Sequence, residues 1–373
     1  MSGRLDDLEA IRKCDKQGML GILKGFDRQL EEALEIGLRA DISIQKAIGT
    51  VLVCGMGGSA MAGDFLRAYL GTDLKIPLFV NRNYSIPGFA DESTLALICS
   101  YSGNTEETLS AFNEARRMGC HIICLSSNGE LQSCSDQYGY PFLQIPGGSP
   151  PRTALGYLAI PLLIVLARLN LISDRREEIS RSVSWVRSRI ELYGLESPEE
   201  ENAAKGLALK VHQKIPVVYG SEDRLEMVAK RWRGQFCENG KQLAYSSALP
   251  EMNHNEIAGW KHPAPALQQL LPIFLRDRED HPQIQVRTEL TRQLVAEKSG
   301  AFLEFWSEGE SWLERLWTLI LLGDYASLYL ACLNGENPTP MQVAEDLKIR
   351  LRRPGAKDHQ GGDQHQSRDL SRV

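Results

Sequence analysis

Two short apolar runs, Thr50-Val51-Leu52-Val53-Cys54 and Thr94-Leu95-Ala96-Leu97-Ile98-Cys99, each break off into a loop that ends a strand and opens a helix. The first loop is Gly55-Met56-Gly57-Gly58-Ser59 and the second is Ser100-Tyr101-Ser102-Gly103-Asn104-Thr105. Further strands are expected near 77–81, 120–125 and 141–145, with helices near 59–71, 104–118 and 153–169. Strand–helix alternation of this kind gives a parallel sheet covered by helices on both faces. A second alternation starts at the strand 214–220 and continues through a helix 222–238, a strand 267–275, a helix 284–298, a short strand 301–305 and helices 309–334 and 340–352. The expected class is therefore α/β, with two mainly parallel, flavodoxin-like domains at 41–175 and 195–353. A helical leader (1–40) precedes them, a charged helix (176–194) connects them, and a polar tail (354–373) with few apolar residues is expected to be disordered.

A chain of 373 residues is too long for one ordinary core. Its 43% hydrophobic and 24% charged content is that of a globular protein. The net charge of −6 argues against a nucleic-acid binder, which needs a basic face, but not against capture of one phosphate by local N–H groups. The eight cysteines are scattered, several inside apolar strands, and fit reduced thiols in a cytoplasmic protein. Met1–Gln17 is charged and lacks a signal-peptide core. The most apolar stretch, 316–333, is interrupted by Gly323, Asp324 and Ser327, so a buried helix fits it better than a membrane span.

One loop offers backbone N–H groups and the other a row of hydroxyls, and together they suit a single phosphate. The dipole and free N–H groups of the helix opening near Asn104 favour an anion beside Ser100, Ser102 and Thr105. Gly55-x-Gly57-x-x-Ala60 also satisfies a loose dinucleotide fingerprint. That fingerprint needs a carboxylate ending the next strand, and Val80-Asn81-Arg82-Asn83 supplies none. A dinucleotide is therefore disfavoured.

Pro150-Pro151-Arg152-Thr153 fixes the entry to a helix and sets a cation in its first turn, where the dipole disfavours it. A cation so placed is a candidate for stabilising a developing oxyanion. Glu238, in Phe236-Cys237-Glu238-Asn239-Gly240, closes a helix with the charge that the helix C-terminus disfavours. His254 lies in the polar loop Glu251-Met252-Asn253-His254-Asn255-Glu256. A Glu and a His converging on a phosphorylated substrate would serve proton transfer at carbon and at oxygen. Taken singly, each also fits an ordinary solvated residue.

Taken together and in order, these motifs resemble the bifunctional phosphoglucose/phosphomannose isomerases, whose chains contain two sugar-isomerase (SIS) domains. The resemblance runs over roughly 45–350 and leaves His281–Glu310 without an assigned match. It implies interconversion of glucose 6-phosphate or mannose 6-phosphate with fructose 6-phosphate, without metal or cofactor. By position it implies phosphate binding by Gly57, Gly58, Ser59, Ser100, Ser102 and Thr105. Glu238 would be the base acting between C1 and C2, Arg152 would stabilise the enediolate, and His254 and Lys348 would assist ring opening. The resemblance also implies a homodimer, with His254 reaching the neighbouring subunit's site, and makes Thr339 a candidate for admitting the mannose epimer. Neither nucleic acid nor membrane is expected as a partner. A non-catalytic phosphosugar sensor, an isomerase of another sugar phosphate and a nicotinamide-dependent oxidoreductase are the alternatives.

Overall fold

The computed structural model describes residues 3–44 and 46–351. The tail expected at 354–373 lies outside the described residues. The chain begins with α1 (Leu8–Cys14), α2 (Met19–Lys24) and α3 (Phe26–Arg39). A continuous apolar stripe over Asp6–Gly37 does not show these breaks. Gly18 adopts a left-handed φ of 71°, and the Asp15 carboxylate accepts the Met19 and Leu20 N–H groups, which restarts the helix in a new direction.

The first sheet is built from β1 (Thr50–Cys54), α4 (Gly57–Leu70), β2 (Leu78–Asn81), β3 (Thr94–Cys99), α5 (Glu106–Arg117), β4 (His121–Ser126), α6 (Glu130–Tyr138) and β5 (Phe142–Gln144). All its pairings are parallel, in the order β2-β1-β3-β4-β5. After the 3-10 turn Pro151–Thr153 come α7 (Leu155–Arg168), α8 (Arg176–Tyr193) and α9 (Ala203–Val211). The second sheet follows with β6 (Ile215–Ser221), α10 (Glu226–Glu238), β7 (Tyr245–Leu249), the short α11 (Glu256–Gly259) and α12 (Ala264–Leu267), β8 (Leu270–Arg276), α13 (Pro282–Ser299) and β9 (Leu303–Trp306). It too is parallel, in the order β7-β6-β8-β9. The chain continues as α14 (Trp312–Leu333) and α15 (Gln342–Leu351).

The fold class is as the alternation predicts. Five elements, α6, α9, β7 and the short α11 and α12, were not legible in it. β7, Tyr-Ser-Ser-Ala-Leu, is a short edge strand without apolar alternation, and pairing with β6 alone defines it.

The helix α14 is long and apolar enough to cross a membrane, yet 89% of its apolar window is buried inside the protein. Trp317 is fully buried, stacked on Phe65 at 4.8 Å and edge-on to Phe26 at 5.3 Å, which joins this helix to α4 and the leader. Burying such a ring is worth about 2–3 kcal/mol. The leader packs α3 along α7 so tightly that a Cβ on Gly37 would stand 2.8 Å from Ile164. By packing the chain forms two units, the first ending at Thr339 and holding both sheets, the second starting at Pro340 and holding α15. Residues of α15 are not buried, and Val343, Leu347, Ile349 and Leu351 are exposed.

Candidate active site

In a doubly wound sheet the chain leaves two adjacent strands in opposite directions at one point, which opens a crevice at their carboxyl ends. Here that point lies between β1 and β3, the two strands that end in the glycine and serine loops. A Cβ on Gly55 would stand 2.8 Å from the Cys99 carbonyl oxygen, so the loops touch at their origin. Neither α4 nor α5 has a side-chain N-cap, which leaves first-turn N–H groups free for an anion.

The hydroxyls tie the loops together. Ser59 Oγ accepts the Tyr101 N–H at 3.0 Å, so its own proton remains available to donate. Ser100 Oγ and Thr105 Oγ1 are hydrogen-bonded at 3.0 Å, and Ser102 is exposed, accepting the Asn104 N–H weakly at 3.4 Å. Ser59, Ser102 and Thr105, whose oxygens accept, each keep a proton to donate, whereas the Ser100 proton is engaged by Thr105.

A cleft of about 400 Å³ opens beside the first loop. Gly57, Gly58, Arg152 and Glu238 line it; Ser59, Ser100, Ser102 and Thr105 do not. Gly58 abuts the 3-10 turn bearing Arg152, since a Cβ there would stand 2.7 Å from the Pro151 carbonyl oxygen. The leader steadies this turn: Gln29 donates to the Thr153 carbonyl at 3.0 Å and accepts the Gly156 N–H at 2.8 Å.

Arg152 is buried, and each arm of its guanidinium is engaged. Nε donates to Asn239 Oδ1 at 2.5 Å, and Nη2 donates to the Pro338 and Thr339 carbonyls at 2.9 and 2.8 Å. Nη1 stands 3.6 Å from Glu238 Oε2. Burial pushes the Glu238 carboxyl above its ordinary pKa, while the positive charges of Arg152, Arg231 and Lys241 pull it back. A base lifted in this way and held against a fixed cation suits proton abstraction next to a carbonyl.

The residues that interrupt the apolar run of α14 are those that place Glu238. Gly323 leaves the notch filled by the Trp232 indole, whose Nε1 donates to the Leu319 carbonyl at 2.8 Å. Asp324 accepts Arg231 Nε at 2.9 Å, Arg231 Nη2 at 2.6 Å and Gln235 Nε2 at 2.7 Å. Ser327 accepts Asn239 Nδ2 at 2.8 Å. Arg231, Gln235 and Asn239 follow one another at four-residue spacing, so they form one face of α10. Glu238 therefore falls on the neighbouring face, toward the cleft. Arg231 Nη2 also donates to the Arg152 carbonyl at 2.9 Å, which links base and cation through one buried network.

The cleft also holds Met61, Asp64, Arg82, Lys230, Arg233 and Gly234, none of which sequence reasoning singled out. Met61 and Asp64 were within reach of it, because they lie four and seven residues beyond Gly57 on one helical face. Asp64 is buried and ion-paired with Arg82. His254 is not in the cleft: it ends the 3-10 turn Glu251–His254 with an exposed ring that has no hydrogen-bond partner among the described residues. Lys348 is exposed on α15, in the second unit.

Two parallel sheets, a switch point with uncapped helix starts and a carboxylate set against a buried guanidinium fit a sugar-isomerase (SIS) protein. Residues 200–351 match the family model of the bacterial phospho-glucose isomerase C-terminal SIS domain. The chain is 40% identical over 324 residues to a bifunctional phosphoglucose/phosphomannose isomerase of Caldicellulosiruptor bescii, covering 87% of this chain and 96% of that one. It is 32% identical over 333 residues to the protein of the same name from Aquifex aeolicus, covering 89% and 98%. A crystal structure of a hypothetical protein from Thermus thermophilus shares the fold with a TM-score of 0.71 at 17% identity, covering 92% of this chain and 93% of that one. The chain belongs to the bifunctional phosphoglucose/phosphomannose isomerase family.

Proposed function

We propose that the protein interconverts glucose 6-phosphate and mannose 6-phosphate with fructose 6-phosphate through a cis-enediol. The observation that carries this reading is the Glu238 carboxylate, raised by burial and 3.6 Å from the Arg152 guanidinium, in a cleft bordered by Gly57 and Gly58. In the open-chain aldose, Glu238 takes the proton from C2. The C2–H pair becomes the C1=C2 bond, and the carbonyl oxygen gains the negative charge that Arg152 offsets. Transfer of the O2 proton to O1 and return of the Glu238 proton to C1 gives the ketose and restores the carboxylate. C2 is planar in the enediol, so the two epimers share one intermediate, and a single base serves both. Phosphate held by Gly57, Gly58, Ser59, Ser100, Ser102 and Thr105 provides binding energy remote from the reacting carbons. Thr339, whose carbonyl holds Arg152 and whose buried Oγ1 has no partner, is the residue we assign to accommodating the mannose epimer.

The two sheets are read as two SIS domains, 41–175 and 195–353, in a cytoplasmic homodimer. The exposed, unpartnered His254 ring supports ring opening by His254 in the neighbouring subunit's cleft, with Lys348 assisting. Mixing His254→Ala and Glu238→Gln chains tests this, because a shared site regenerates one intact cleft in each mixed dimer. Activity near a quarter of parental is expected from random exchange, about half the dimers each with one working site; no recovery would place His254 within its own subunit. The primary assay is fructose 6-phosphate formation from each aldose phosphate with excess chelator. Turnover of both supports the reading, and turnover of neither removes it.

A further inference from the structure

Glu238 is the last residue of α10, at the end where a helix leaves its carbonyls without partners of its own. Lys241, three residues further on, turns back over this end. Its ammonium donates to the Glu238 carbonyl and, at 3.3 Å, to the Pro338 carbonyl. The Pro338 oxygen also accepts Arg152 Nη2 at 2.9 Å, and its two lone pairs serve both cations. Arg152 Nη1 in turn stands 3.6 Å from the Glu238 carboxylate. These four contacts close a ring that runs from base to guanidinium to loop carbonyl to ammonium and back to the main chain of the base. Lys241 does not line the cleft, so its reach to the substrate is through Glu238.

The backbone of Lys241 shows that the side chain is needed there. Its φ of 52° lies in the left-handed region, which glycine enters freely and a residue with a Cβ enters at a cost. Such a conformation persists where the surrounding contacts impose it. Here it is the conformation that brings the ammonium back over the end of α10.

We propose that Lys241 is a positioning residue of the isomerase reaction, fixing the last turn of α10, and with it Glu238, against the loop that grips Arg152. The inference rests on the assignment of Glu238 as the base. A terminal turn without this tie is free to fray, and a base displaced from the reacting C–H loses its alignment. Lys241 also sets a positive charge beside Glu238, together with Arg152 from the 3-10 turn and Arg231 on α10, and all three oppose the upward push of burial. Glu336, on the loop, faces Lys241, and Asp324, on α14, is committed to Arg231. Asp64 with its partner Arg82, and Lys230 and Arg233 on α10, complete the charged lining of the cleft.

The test compares Lys241→Gly and Lys241→Arg with the parental full chain, by kinetics on glucose 6-phosphate across pH and by thermal melting. Lys241→Gly should lose about tenfold in kcat with KM little changed. The acid limb of its kcat/KM profile should move to higher pH, because one positive charge beside the base is gone. Its melting temperature should stay within about 4 °C of parental, since relief of the left-handed backbone offsets the lost hydrogen bonds. Lys241→Arg keeps the charge and the donors, and should keep kcat within about threefold and the acid limb in place. A Lys241→Gly chain with kcat within about threefold of parental, or with an unmoved acid limb, overturns the inference. So does a larger fall in melting temperature, which would make the lysine a stabilising cap, or an arginine variant as impaired as the glycine one. A parental chain that turns over neither aldose phosphate removes the functional reading and this inference with it, whereas an active parental chain with an unaffected glycine variant removes this inference alone.

Discussion

Replacing Arg152 by lysine keeps the charge and removes the fork. The guanidinium reaches Asn239 Oδ1 from Nε, two carbonyls from Nη2 and Glu238 from Nη1. A lysine ammonium is one point on a flexible stem and cannot meet acceptors spread around that plane. At least two charge-assisted hydrogen bonds are lost, each worth about 1.5–3 kcal/mol, so a stability loss of about 3 kcal/mol is expected once water enters from the cleft. The catalytic loss is separate. Removing one fixed donor to a developing oxyanion costs about 10²–10³ in kcat, or roughly 3–4 kcal/mol of transition-state stabilisation. Steady-state kinetics on each aldose phosphate, with the folded fraction confirmed by circular dichroism, should show kcat reduced by that factor and KM little changed. A variant with kcat within about threefold of parental, or one that loses KM while keeping kcat, would refute the argument, because Arg152 would then act in the ground state or not at all.

Glu238→Gln should abolish turnover and yet raise the melting temperature at neutral pH. Burial raises the folded-state pKa of Glu238, so the stability linked to its proton is present at low pH and lost as pH rises through that pKa. The advantage of the variant should vanish below the unfolded carboxyl value of about 4.3, which melting curves across pH will check. Gly58→Ala forces a methyl group to within 2.7 Å of the Pro151 carbonyl oxygen, displacing the turn that carries Arg152. Urea unfolding should show a loss of about 1–3 kcal/mol, accompanied by reduced kcat. Asp324→Ala leaves the buried Arg231 charge unpaired and should destabilise by about 3–5 kcal/mol in the same assay.

The strand–loop–helix order of the first sheet, α6 apart, could be read from the chain, because an apolar run ending in glycine or serine reports a local backbone choice. The second sheet was less legible. β7 has no pattern of its own and exists because β6 offers it a parallel edge. The site divides in the same way. Gly57 and Gly58 were identified from the glycine loop that follows an apolar strand, and Arg152 and Glu238 as residues at odds with their local setting, a cation at a helix start and an anion at a helix end. The hydroxyls of the serine loop were identified too, but the cleft that meets Arg152 and Glu238 is lined by Gly57 and Gly58 and not by that loop.

The sequence by itself determined the alternation, the glycine- and serine-rich helix starts and the mismatched charges, all of which depend on neighbours within a few positions along the chain. Tertiary structure alone decided what Gly323, Asp324 and Ser327 are for. In the sequence they are flaws in an apolar helix. In the fold they are the notch and the hydrogen-bond acceptors that seat Trp232, Arg231, Gln235 and Asn239, and so turn Glu238 toward Arg152. Partners separated by about ninety positions leave no periodic trace, because a buried polar group records only that it needs a partner and not which one.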